Sequence, residues 1–109
     1  MKQLSPNKAA SLINEGARFI DVRSEGEYKT ESVPGSENIP VQAIISATKS
    51  GKLNPEEVII LFCQSGMRSS RATGQLKSMG FDKVENLGTF TAAWKAHTIA
   101  MSEKANAGS

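Results

Sequence analysis

Cys63, the only cysteine of the chain, stands where an apolar run ends, in the segment FCQSGMRSS at residues 62–70. Arg68 and Arg71 follow it within eight positions, and Gly66 lies between the cysteine and the first arginine. A cysteine thiolate is a nucleophile, and an arginine side chain can bind an oxyanion through two parallel hydrogen bonds. These residue types therefore allow nucleophilic chemistry on a small anion.

The elements around Cys63 would position it for that chemistry. The run VIILF at residues 58–62 has the length and composition of a strand covered on both faces, and SSRATGQLKSMGF predicts a helix that begins near Ser69 or Ser70. A tight loop that enters a helix points backbone N–H groups inward, and these form an anion cradle with the helix dipole. Gly66 would let the loop reach angles that other residues resist. We therefore expect the pKa of Cys63 to be depressed.

Each of these residues also has a simpler interpretation. A lone cysteine after an apolar run is typical of a small buried hydrophobic residue. The spacing of Gly66 and Arg68, with a helix beginning just after, favours the nucleophile instead. For Arg71, a solvated helix face is an equally good interpretation.

The spacing also separates classes of cysteine chemistry. A cysteine phosphatase loop has an arginine six positions after the cysteine, and here that position is Ser69. The shorter cradle suits a persulfide sulfur or a small anion better than a phosphoryl group. His97 could complete a Cys–His dyad, but the pattern places it on the inner face of the last helix, where a core or surface histidine is the usual interpretation. No GxxxxGK[ST] or GxGxxG motif supports nucleotide binding.

Length and composition bound the remaining possibilities. The 109 residues suit one domain, and 39% hydrophobic with 22% charged residues is a globular balance. The net charge of +2 gives no general basic field for nucleic acid. The longest apolar run, residues 58–63, is too short to span a membrane, and we expect a cytoplasmic location. One cysteine forms no internal disulfide, and together with His97 it is too few for a structural zinc site.

Strand and helix patterns alternate along the chain. Strands are predicted at RFIDV, ENI, VIILF and KVENL, and helices at SPNKAASLINEG, from Ser24 with Glu27 in capping-box spacing, weakly at VQAIISATKS, after the Cys63 loop, and at FTAAWKAHTIA. This alternation favours a mostly parallel sheet with helices on both faces, in which ligands bind beyond the carboxyl ends of the strands. We predict a single domain at residues 1–100 and a frayed tail at 101–109.

Four motifs in order make the chain similar to the rhodanese (thiosulfate sulfurtransferase) family, as a single-domain member. They are DVRSEGEY at residues 21–28, VPGSENIP at 33–40, CQSGMR at 63–68 and MGFDKVENLGTFTAAW at 79–94. The resemblance covers about Leu4 to His97. It implies a rhodanese-like α/β fold, with a mostly parallel central sheet of about five strands and helices on both faces.

The resemblance also implies a reaction. Cys63 would attack the outer sulfur of an anionic donor such as thiosulfate, carry the sulfur as a persulfide, and pass it to cyanide, a thiol or a sulfur-accepting protein. The donor and the persulfide would be bound by the loop residues Gln64, Ser65, Gly66, Met67, Arg68 and Ser69. No metal and no organic cofactor is implied, and neither a nucleic acid nor a membrane partner is expected.

The other family positions are expected to be mainly structural. Asp21 and Arg23 match the family's DVR and would brace the side of the active site, with a minor electrostatic role, while Trp94 would lie in the core. The chain departs from the family at Glu31-Ser32, where Gly-His is usual, and at Thr89, where a second glycine is frequent. The second departure would affect the mouth of the pocket and so the substrate preference.

Two other functions compete with turnover on small molecules. The same cysteine and loop would serve a carrier module that delivers a persulfide sulfur to a partner protein with low free turnover. An enzyme directed at arsenate or phosphate esters is disfavoured by the short loop and by the lack of a second, resolving cysteine.

Overall fold

The alternation of strands and helices is confirmed in a computed structural model of the chain, which describes residues 3–107. The strands are β1 (Arg18–Asp21), β2 (Glu37–Asn38), β3 (Ile59–Phe62) and β4 (Val84–Gly88). The helices are α1 (Pro6–Asn14), α2 (Glu25–Thr30), α3 (Ile44–Lys49), preceded by a 3-10 turn at Val41–Ala43, α4 (Met67–Ser78) and α5 (Phe90–Ala107). Every predicted strand and helix is therefore present.

The four strands form one parallel sheet in the order β2-β1-β3-β4. Ile20 of β1 pairs with Leu61 of β3, so the strand that precedes Cys63 is central. The family resemblance implied about five strands, and residues 3–107 contain four. Outside β4, Leu4 donates one backbone hydrogen bond to the Asn86 carbonyl (2.8 Å), but α1 begins at once with Ser5 as its N-cap, which leaves no length for a fifth strand there.

The sheet is covered on both faces, as expected, because every residue of β3 is buried. Ile59 and Leu61 point to the face covered by α3 and α4, whereas Ile60 and Phe62 point to the face covered by α1 and α5. Alternate residues of β3 therefore belong to two hydrophobic cores, one on each face of the sheet. Burial on both faces explains why the apolar run of β3 is unbroken.

The predicted helix caps are confirmed. Ser5 accepts a hydrogen bond from the Lys8 N–H (3.2 Å) at the start of α1, and Ser24 and Glu27 form a reciprocal capping box at the start of α2. These side chains accept from free N–H groups at the two helix starts, so the sequence specifies locally where α1 and α2 begin.

Two helices differ from the prediction in their bounds. α4 begins at Met67, two residues before Ser69, because Gly66 takes a left-handed conformation (φ 98°) and turns the chain directly into the helix. α5 continues to Ala107, so residues 101–107 are helical where a frayed tail was predicted. This last part is rich in Ala, Glu, Lys and Met, which favour helix.

The domain boundary at residue 100 stays a prediction, and residues 108–109 lie outside the described part of the chain. None of the helices within residues 3–107 combines the length and the apolar character required to cross a bilayer.

Candidate active site

Cys63 lies directly after β3, at the carboxyl edge of the sheet. Its N–H donates to the Gly88 carbonyl (2.9 Å), which ties the residue to the end of β4, and its side chain is fully buried on the α4 face. The sulfur therefore sits where two parallel strands end and a helix begins, the position at which open α/β sheets bind ligands.

Gly66 and Ser69 place hydrogen-bonding groups close to the Cys63 sulfur. The Gly66 N–H donates to Sγ at 3.0 Å and the Ser69 N–H at 3.4 Å, while the Ser69 hydroxyl oxygen lies 3.6 Å from Sγ. The same hydroxyl is also within reach of the Gly66 and Gly88 carbonyls, at 3.1 and 3.3 Å. Because α4 begins at Met67, the Ser69 N–H belongs to the first helical turn and has no partner within the helix. The Ser69 N–H at the start of α4 therefore points to the Cys63 sulfur.

The surroundings of Cys63 favour its thiolate. Burial is the largest single influence and raises the pKa of the thiol, but the Ser69 N–H and hydroxyl and the Gly66 and Arg68 N–H groups together outweigh it. The net effect is a Cys63 pKa below its ordinary value. A buried cysteine that served only as packing would lack these donors.

The predicted loop residues divide into two groups. Gly66, Arg68 and Ser69 surround the sulfur, whereas Gln64, Ser65 and Met67 are exposed. Within residues 3–107, none of these three donates a hydrogen bond to Sγ. The Gln64 carbonyl accepts from the Phe90 N–H (3.2 Å) and Ser65 forms a bridge with Thr89, so this half of the loop is fixed to the start of α5.

The Arg68 side chain is held by Glu27. Its two terminal nitrogens donate to the two carboxylate oxygens at 2.6 and 3.0 Å, and both side chains are a little over one-third exposed. Arg68 holds the pKa of Glu27 at about 2, assisted by the Ser24 N–H. The pKa of Arg68 is raised by Glu27 and, to a smaller extent, by the charges of Cys63 and Asp21. The guanidinium therefore lies within electrostatic range of the sulfur but is already paired.

Asp21 and Arg23 form a buried ion pair at the end of β1. The Arg23 Nη2 lies 2.8 Å from an Asp21 carboxylate oxygen, and the side chains of Arg23 and Asp21 are 4% and 0% exposed. Arg23 also donates to the Glu31 carbonyl (2.6 Å), and its guanidinium lies 4.2 Å from the centre of the Phe90 ring. These contacts agree with a bracing role, because the pair joins β1 to the end of α2 and to the start of α5.

Thr89 and Glu31, at the two departures from the family pattern, each accept a hydrogen bond in the structure. Thr89 caps α5, since its hydroxyl accepts from the Ala92 N–H (3.1 Å). Glu31 takes part through its carbonyl, which accepts from Arg23 whatever the side chain is. Within residues 3–107, neither the Glu31 nor the Thr89 side chain hydrogen-bonds to the Cys63 sulfur.

The remaining candidates lie away from the sulfur or at the surface. His97 makes an edge-on contact with Trp94 (5.8 Å between ring centres) on α5, and the half-buried Trp94 packs against the core of the α1 and α5 face. Arg71 is exposed. Within residues 3–107, no group of three or more His, Cys, Asp or Glu side chains is arranged to hold a metal ion.

Two contacts at the candidate site were not predicted from the sequence. Ser69 was expected to act through its N–H, but its hydroxyl also reaches the sulfur. Glu27 was predicted only as a capping residue, and its pairing with Arg68, 41 positions away, had no sequence signal. For Ser69, the signal was the position of the helix start. A start placed correctly at Met67 would have put Ser69 in the first helical turn.

Comparisons with known proteins agree with this geometry. The sequence model of the family described as Rhodanese-like domain matches residues 5–97. The thiosulfate:glutathione sulfurtransferase of Homo sapiens is 35% identical over 95 residues, covering 74% of this chain and 81% of that protein. The putative sulfur carrier protein YrkF of Bacillus subtilis (strain 168) is 32% identical over 85 residues, which cover 78% of this chain. This chain matches only 45% of the length of YrkF.

A solved structure shares the fold. The human single-domain sulfurtransferase TSTD1 superposes with a TM-score of 0.70 at 28% identity, over 84% of this chain and 94% of that one. The four-stranded parallel sheet with helices on both faces is therefore a rhodanese fold, as the resemblance implied.

Proposed function

The chain belongs to the rhodanese-like domain family of sulfurtransferases, and from this premise we propose that it moves a sulfane sulfur from thiosulfate, or from a persulfide donor, through a persulfide on Cys63 to cyanide or a thiol. The observation that carries the proposal is the set of donors from Gly66, Arg68 and Ser69 that stabilises a thiolate at the end of the central strand. The name of the human relative, which pairs thiosulfate with glutathione, supports an anionic donor and a thiol acceptor.

The first half-reaction loads the cysteine. The Cys63 thiolate attacks the outer sulfur of thiosulfate, a new S–S bond forms to Sγ, and the S–S bond of thiosulfate breaks with its electron pair leaving on sulfite. The Gly66 and Ser69 donors that stabilised the thiolate then lie beside the terminal persulfide sulfur. No oxidant is consumed, because the thiolate supplies the electron pair of the new S–S bond and sulfite carries away the pair of the bond that breaks.

The second half-reaction unloads the cysteine. Cyanide or a thiolate attacks the terminal sulfur of the Cys63 persulfide, the S–S bond to Sγ breaks, and thiocyanate or a new persulfide leaves. The electron pair returns to Sγ, which becomes the thiolate again within the same donors. Because a covalent intermediate separates the half-reactions, ping-pong kinetics are expected.

Removal of the sulfur nucleophile tests the proposal. We expect Cys63→Ser to lose thiocyanate formation from thiosulfate and cyanide, because serine at this site is not ionised at neutral pH. The wild type should gain the mass of one sulfur atom after thiosulfate treatment, and the variant should not. Thermal melting serves as the folding control, and a folded Cys63→Ser variant with wild-type turnover would overturn the proposal.

A persulfide carrier is the second candidate, and the similarity to a putative sulfur carrier protein favours it. The full burial of Cys63 supports it as well, since a shielded persulfide is protected from free thiols. A stable mass gain of one sulfur with slow release to cyanide and glutathione would select the carrier. Rapid release would select the enzyme.

We also propose that the protein works on small anions in the cytoplasm. Its near-neutral net charge of +2 supplies no field for nucleic acid, and a free reactive thiol persists best in a reducing compartment.

A further inference from the structure

The carboxylate of Glu27 occupies the Nη1–Nη2 edge of the Arg68 guanidinium, one of the edges through which an arginine binds an oxyanion, and neutralises its charge. Two parallel hydrogen bonds of 2.6 and 3.0 Å join them, which is the same geometry that arginine uses for a sulfonate or sulfate group. A donor that approaches Cys63 with negative oxygens therefore meets a guanidinium that is already paired and neutralised.

We propose that Glu27 is a positioning residue that sets how strongly Cys63 disfavours anionic reactants, and thereby which sulfur donors it accepts. This inference rests on the proposed sulfur transfer by Cys63. A sulfur donor with more negative charge would be attracted more strongly by an unpaired Arg68. The pairing of Arg68 with Glu27 therefore weakens the binding of highly charged donors more than that of weakly charged donors.

Glu27 stays charged wherever the enzyme could work. The hydrogen bonds from Arg68 and from the Ser24 N–H hold the pKa of Glu27 at about 2. Above that pH the carboxylate and the guanidinium cancel, so the Cys63 mouth has no net charge from this pair. The pairing is therefore permanent unless a ligand displaces the carboxylate.

The capping box limits such a displacement. The Glu27 Oε1 accepts a hydrogen bond from Arg68 Nη1. It also accepts from the Ser24 N–H (3.1 Å) and the Ser24 hydroxyl (3.0 Å) at the start of α2. A swing of the carboxylate away from Arg68 would break these bonds as well as the ion pair. An incoming anion consequently competes with a carboxylate that Ser24 holds through Oε1 as well as Arg68.

The substitution Glu27→Gln tests the charge alone. Glutamine suits the third position of a capping box and keeps an oxygen for Ser24, so α2 should remain capped. The matched control is Glu25→Gln, which removes the same charge from the exposed first turn of the same helix, away from Arg68.

Two readouts separate this inference from the proposed function. Alkylation of Cys63 by iodoacetate, an anion, is compared with alkylation by neutral iodoacetamide, and their rate ratio reports the local charge whether or not sulfur is transferred. In parallel, kcat/KM is measured for thiosulfate, a dianion, and for benzenethiosulfonate, which presents the same outer sulfur with one charge.

We expect Glu27→Gln to raise the iodoacetate-to-iodoacetamide ratio and the thiosulfate kcat/KM by about two- to fivefold, as for removal of one partly exposed charge. The gain should be smaller for benzenethiosulfonate and should shrink as salt is added. An unchanged alkylation ratio, or an equal rise in Glu25→Gln, would overturn the inference. Absence of a sulfur mass gain on Cys63 of the wild type, with thiosulfate and with a persulfide donor, would instead overturn the proposed function.

Discussion

The Cys63 sulfur is subject to two opposing effects. Burial removes it from water, which penalises the thiolate, while the donors of the loop and of the first turn of α4 replace the water it has lost. Ser69 contributes twice, through its N–H and through its hydroxyl, and it is itself fully buried. Ser69 therefore contributes to the lowering of the Cys63 pKa through both groups.

The pH dependence of alkylation tests this balance. Because the pKa of Cys63 is lowered, the thiolate should persist to a lower pH than in a free cysteine, and the midpoint of the iodoacetamide rate should lie below the usual value of about 8.5. Ser69→Ala removes the hydroxyl but keeps the N–H, so its midpoint should move upward. Ser70→Ala, at an exposed neighbouring site, should leave the midpoint unchanged; equal midpoints in all three proteins would contradict the account.

At the scale of the elements, the start of α4 decides the geometry of the cradle. Gly66 is the N-cap and has a φ of 98°, which brings its own N–H and that of Ser69 to the same sulfur. A residue with a Cβ is disfavoured in this conformation. The loop can therefore be short only because glycine stands at this position.

The pair Gly66→Ala and Gly74→Ala tests the role of the turn. A Cβ on Gly66 would meet its nearest atom at 3.5 Å, an ordinary contact, so the cost arises from the backbone and should be about 1–2 kcal/mol in the free energy of unfolding. Persulfide formation should also slow, because the Gly66 N–H would turn away from the sulfur.

Gly74 lies inside α4 and has open space around a Cβ. Alanine there should stabilise the protein by about 0.5–1 kcal/mol and leave persulfide formation unchanged. Urea unfolding and single-turnover mass spectrometry provide both measurements. A Gly66→Ala protein as stable and as fast as the wild type would show that the left-handed turn is not required.

At the scale of the whole molecule, Arg23 links parts that are distant in the chain. It pairs with Asp21 at the end of β1, bonds the carbonyl at the end of α2, and covers the Phe90 ring at the start of α5. Since β1 and β3 are adjacent, this buried pair holds the helices around the edge of the sheet where Cys63 lies.

Loss of the Asp21 charge should destabilise the entire fold. Asp21→Asn leaves the Arg23 guanidinium buried without its counter-charge, and removal of one partner from a buried ion pair costs about 3–5 kcal/mol. The free energy of unfolding from urea titration measures this. Asp82→Asn, at an exposed site, should change it by less than about 0.5 kcal/mol. A loss of similar size in both variants would argue against a specific role for the pair.

Much of the fold and part of the site could be predicted from the sequence. The strands, the caps at Ser5 and Ser24, and the position of Cys63 after a buried strand follow from neighbouring residues, since capping and periodicity act over a few positions. The bounds of α4 and α5 were less accurate. The start of α4, two residues earlier than predicted, depends on the conformation of one glycine, and the extension of α5 depends on helix preferences in residues 101–107 that the prediction did not use.

The parallel α/β architecture and the interpretation of Cys63 as a candidate thiolate nucleophile follow from the sequence, because local patterns specify where a strand ends and a helix begins. The pairing of Arg68 with Glu27 and the approach of the Ser69 hydroxyl to the sulfur depend instead on tertiary packing. Glu27 and Arg68 are 41 positions apart, and each has oppositely charged residues closer in the sequence with which it could pair. Their pairing is set by the packing that brings α2 beside the start of α4.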